Sequence, residues 1–174
     1  MTAGDLQQCL DQAFGDLRPP ELQDLTRSFG LDPDFEEAVK TETDKARRWQ
    51  ELRPLDNFLG SSIGILLLTP AACHYFLPAF LYAMTSPEGI RRYLAPVLSI
   101  LWYSDEYGDP VFQGSDRRGE WEQFAALLTD EQKRCIAHCL VEIVKSVNSL
   151  EECEVHMELD RMEYMLEKYW KPWL

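Results

Sequence analysis

The sequence predicts an all-α protein: a single-domain orthogonal helical bundle of about seven helices around a central apolar helix pair kinked by proline. Three observations lead there. Apolar residues recur at three-and-four spacing along most of the 174 residues, the period of a helix with one buried face. Helix-start chemistry repeats at Thr69-Pro70, Ser86-Pro87, Thr129 with Gln132, and Ser149 with Glu152. A hydroxyl there satisfies the free N–H groups of a first turn, and proline or a capping-box side chain completes it. No strand alternation of useful length occurs. The 45% apolar and 11% aromatic content suffices for the core of one domain over 1–174 and argues against disorder.

Residues 1–53 are expected to form outer amphipathic helices. Leu6, Leu10, Ala13 and Phe14 share a stripe, and after Pro19-Pro20 a second begins with Leu22, Leu25 and Phe29, stopping at Gly30. From Asp32 to Pro54 a long polar helix is expected on the outside of the fold, its apolar positions reduced to Phe35, Val39, Ala46, Trp49 and Leu52. Residues 57–103 hold the apolar pair. Helices run from Pro70 to Met84 and from Pro87 to Trp102, with Pro78 and Pro96 in their interiors, where a missing N–H bends the axis. Residues 104–118 form a loop. Residues 119–174 supply the C-terminal helices: a face of Trp121, Phe124, Ala125 and Leu128, then capping-box helices to about Val147 and about Tyr169.

The stretch from Asn57 to Pro87 contains no Asp, Glu, Lys or Arg and raises the question of a membrane span. Gly60, Ser61, Ser62, Gly64, Thr69, Pro70 and Pro78 interrupt it. The helix beginning at Pro70 covers about 22 Å at 1.5 Å per residue, short of the roughly 30 Å hydrocarbon core. A buried central helix is the better reading. The first residues carry acid where a secretory signal needs a basic and then an apolar region. With five irregularly spaced cysteines, this suggests a reducing, cytoplasmic setting.

The chain holds 17 basic and 30 acidic residues, a net charge of −13. The acid is spread: 13 against 7 basic in 1–56, 7 against 4 in 57–129, and 10 against 6 in 130–174. Such a surface repels nucleic acid and anionic lipid and attracts a basic protein.

Candidate chemistry centres on Cys73, His74, Cys135, His138 and Cys139, residue types that ligate zinc or serve a thiol nucleophile. There is no paired Cys-x-x-Cys; His138 and Cys139 point about 100° apart on a helix, and the apolar setting of Cys73 disfavours a thiolate. Buried small core residues are the plainer account. The acidic loop residues Asp105, Glu106, Asp109 and Asp116 lack the alternate-position ligands of a helix–loop–helix calcium site. Phosphate loops, nucleophile elbows and H-E-x-x-H are absent.

The phrase from Thr69 to Ala79, with Thr69, Pro70, Ala72, Tyr75, Leu77, Pro78 and Ala79, and the later Leu128, Gln132, Ile136 and Leu140, resemble a bacterial family of small helical proteins of unknown function. Ala71 stands where that family usually has an acid, and His74 where it usually has Arg. The resemblance implies a small helical cytoplasmic domain and carries over no catalytic residue.

Together these point to a cytoplasmic protein-binding domain rather than an enzyme, a monomer or homodimer without cofactor. Its most concrete form is an immunity protein or antitoxin whose acidic surface occludes a cationic toxin or nuclease. Expected contacts are Asp105, Glu106, Asp109 and Asp116 with Glu151, Glu152, Glu154 and Glu158. The rival is a metal-binding or thiol-dependent enzyme using the Cys/His set. A self-associating domain built on the aromatic end, with Trp170 and Trp173, is a third reading; indoles packed back on the core are preferred.

Overall fold

The helix from Pro70 to Ala83 lies in the interior because its sequence has no Asp, Glu, Lys or Arg and offers little that water can solvate. The computed structural model describes residues 3–26, 37, 39–41, 43–44, 48–52, 68–101, 117–150 and 153–174. Within these, α1 spans Ala3–Phe14, α2 Pro70–Ala83, α3 Pro87–Leu101, α4 Arg117–Leu127, α5 Asp130–Val147 and α6 Cys153–Met165. The chain ends in a π turn, Leu166–Trp170, and a 3₁₀ turn, Lys171–Trp173. The fold is all-α, and an isolated bridge between Thr26 and Leu68 is the extended pairing among the described residues.

Helix α2 starts as its sequence demands. The Thr69 hydroxyl accepts from Ala72 N at 3.2 Å and donates to the Asp24 carbonyl, so one side chain both caps α2 and ties it to the segment after α1. Buried Tyr75, Phe76, Leu77, Pro78, Phe80 and Leu81 place apolar surface nearly all round the axis. Helix α3 begins the same way, with Gly89 N donating to Ser86 Oγ at 3.1 Å, and carries buried Pro96. Helix α2 packs on α1, α3, α4 and the turn at 49–51. Helix α5 packs on α1, α3, α6 and both C-terminal turns. No helix among the described residues is long and apolar enough to cross a membrane.

Two local expectations change: the helix expected to begin at Leu22 is a 3₁₀ turn, Leu22–Asp24, after which Thr26 pairs with Leu68 as an extended bridge. The long polar helix does not reach Pro54: Arg48 is extended (φ −139°, ψ 147°) and Trp49–Glu51 is a 3₁₀ turn. This break lets Trp49, 1% exposed, enter the core and donate its indole N–H to the Phe14 carbonyl at 3.0 Å. Val39 and Thr43 are buried as well. Of the second capping box, Ser149 donates its hydroxyl to the Ser146 carbonyl at 2.6 Å, and Glu152 lies outside the described residues. The capping box of α5 forms as read, with Thr129 and Gln132 bonded reciprocally.

Candidate functional site

An aromatic cavity of about 180 Å³ lies where α4, the first turn of α5 and the C-terminal turns converge. Spacing on α4 puts Trp121, Phe124 and Ala125 on one wall, with Leu128 just past its end. The opposite wall is Tyr169, Trp170 and Trp173, brought round by the π turn and the 3₁₀ turn that follows α6. The indole N–H of Trp170 anchors this wall on the Leu101 carbonyl at 3.3 Å. Trp121 and Tyr169 face each other with ring centroids 6.1 Å apart, inclined by 58°. Lys133 lines the same cavity and holds its ammonium 4.8 Å from the Trp173 ring centroid. The aromatic tail therefore folds back on the core, as preferred from the sequence, and encloses a space in doing so. Trp121 and Phe124 were legible as an apolar face; that they would meet Trp173 and Lys133 has no local signal, because the partners come from separate helices.

The cysteines and histidines go to different places. Cys73 turns its thiol to the Leu68 carbonyl at 3.9 Å. His74 bonds Gln132 Oε1 through Nε2 at 3.0 Å. Because Oε1 also accepts from Thr129 N at 3.1 Å, and Gln132 Nε2 donates to the Ala13 carbonyl at 3.1 Å, His74 must be the donor, its proton on Nε2. One buried glutamine thus joins α1, α2 and α5. Burial lowers the His74 pKa, and the Gln132 bond opposes this only partly. Cys135 and Cys139 do share a face of α5, and the thiol that joins them is Cys9 of α1, 2.7 Å from Cys135. Burial, then the Cys135 contact, pushes the Cys9 thiol up to about 12. Cys135 is pushed up as well, first by its bond to Cys139 and then by burial. Such thiols stay protonated, the opposite of what a nucleophile needs. His138 is half-buried on α5. Among the described residues no group of three or more His, Cys, Asp or Glu is placed to hold a metal ion.

Of the expected acidic contacts, Asp105, Glu106, Asp109, Asp116, Glu151 and Glu152 lie outside the described residues, as does the side chain of Glu154. Glu158 is half-buried and ion-paired with Arg161 at 3.1 Å. Elsewhere acid is turned outward: Asp11, Asp16, Glu21, Asp24 and Glu51 are exposed around the end of α1, where Gln50 of the 49–51 turn bonds Asp11 at 3.0 Å.

A family model for the family of unknown function DUF6714 matches residues 2–174, and the chain belongs to that family. No curated protein and no solved structure matches the chain.

Proposed function

We propose that the protein is a cytoplasmic binding domain that presents an acidic surface to a basic protein partner, most concretely an immunity protein or antitoxin that occludes a cationic toxin. The observation that carries this reading is the outward acid around α1, against a net charge of −13. Four ion pairs between described residues are local, three or four residues apart: Glu88–Arg92, Glu142–Lys145, Glu158–Arg161 and Glu167–Lys171. These four bases are spent on chain neighbours, and with 30 acids against 17 bases the surplus charge is acidic. A field of one sign steers an oppositely charged protein and rejects anionic surfaces. The stretches behind the bacterial-family resemblance, Thr69–Ala79 and Leu128 onward, fit a framework role: they meet in the His74–Gln132 bond, a junction between helices.

Tagged protein isolated from its own host, with mass spectrometry of what accompanies it, tests the reading. One basic protein in stoichiometric amount, released as salt rises from 50 to about 500 mM, where the screening length shrinks several-fold, is the expected result. A partner held equally at both salts, or no rescue of growth against the partner's toxicity, overturns it.

A further inference from the structure

We infer that the cavity between α4, α5 and the C-terminal turns is a binding site for a small aromatic carboxylate, one ring with a short acidic arm. This does not depend on the protein-partner reading, since it concerns a different surface and a different ligand class.

Size comes first. About 180 Å³ compares with the roughly 150 Å³ engineered cavity that stays dry and takes benzene. A single six-membered ring fits; a whole lipid or nucleotide would not be enclosed. The walls decide the class of body: Trp121, Phe124, Tyr169 and Trp173 offer ring faces and edges to a planar ligand. Lys133 decides the charge. In a chain with 30 acids for 17 bases, its ammonium lies over an indole and pairs with no carboxylate among the described residues. A cationic ligand would seek the same aromatic faces, but Lys133 already occupies the Trp173 face and would repel it. A carboxylate would find an ammonium at the wall. The overall negative field opposes an anion at long range. A contact ion pair a few ångströms apart outweighs that field, because distant exposed charges are screened beyond about 10 Å at 0.1 M salt.

The test uses the full chain and three compounds of one shape: phenylacetate, 2-phenylethanol and 2-phenylethylamine. Binding is read by titration calorimetry and by tryptophan fluorescence, since indoles form the walls. Phenylacetate should bind in the sub-millimolar range and at least tenfold tighter than the alcohol or the amine. Lys133→Met, which keeps the stem, should erase that preference, and Lys133→Arg should keep it. The inference is overturned if phenylacetate fails to saturate the protein by about 10 mM, or if the alcohol or amine binds as tightly. It is equally overturned if the preference survives in a folded Lys133→Met protein.

Discussion

Replacing Gln132 with alanine should cost about 3 kcal/mol of folding stability, far more than a polar-to-alanine change in a first helical turn usually does. The side chain is 5% exposed and makes three bonds: from Thr129 N, from His74 Nε2 and to the Ala13 carbonyl. Each is worth about 1 kcal/mol net, more where the abandoned group stays dry. The cap between Thr129 Oγ1 and residue 132 N survives, because it uses the backbone. Alanine regains a few tenths in helix propensity, and the lost stem methylenes cost a similar or larger amount. The sum stays near 3 kcal/mol. With a urea slope of about 2 kcal/mol per molar, the unfolding midpoint should fall by about 1.5 M. Urea titration followed by far-ultraviolet circular dichroism measures it. A loss below about 1 kcal/mol would refute the claim that this glutamine joins three helices; it would then be an ordinary cap.

Two further outcomes follow from the same junctions. Gly89→Ala, which would stabilise an ordinary helix by about 1 kcal/mol, should here lower the thermal midpoint by about 4–8 °C, the equivalent of about 2 kcal/mol in a chain of this size. A β-carbon at Gly89 would lie 1.9 Å from the Ala83 carbonyl oxygen, 2.4 Å from its carbon and 3.0 Å from Met84 N; an unchanged or raised midpoint in a thermal melt contradicts that geometry. The third outcome concerns pH. The His74 pKa lies below its ordinary 6.5 because of burial, so between the folded value and 6.5 the unfolded chain binds more protons, and stability rises with pH across that window. It should fall as pH drops below 6.5, by more in the native protein than in His74→Asn, when urea stabilities at pH 7.5 and 5.5 are compared; equal pH dependence in the two would show that His74 is not held neutral.

The backbone of the fold was legible wherever local chemistry decides it. Thr69-Pro70, Ser86 and Thr129 with Gln132 set helix starts through bonds spanning three residues, and a short pattern contains all of that information. The break at Arg48 was not legible, since no glycine or proline stands at it; burying Trp49 against Phe14 overrides an otherwise helical segment. The same limit applies to the thiols. Cys135 and Cys139 stand four residues apart, a spacing that shares a helix face, but Cys9 is 126 residues away from Cys135. The cavity failed to show for that reason too. Trp121, Lys133 and Trp173 each look like a unit of their own helix, and only packing makes them neighbours.

The junction at Gln132 also sets an order of events during synthesis. Helix α1 is made first, yet its end is held by Gln132, 119 residues later, and its Cys9 meets a residue 126 positions on. At 5–20 residues per second the ribosome needs roughly 6–24 s to cover that separation. For that time the stripe of Leu6, Leu10 and Phe14, all buried in the finished fold, has no final resting place. Its early neighbour is Trp49, whose bond to the Phe14 carbonyl spans only 35 residues. The nascent chain thus has a provisional cover for its first helix, later completed by α5. Non-local closure of this kind is slow and exposes apolar surface meanwhile. Variants that loosen Trp49 should therefore suffer in soluble yield during expression beyond what their equilibrium stability explains.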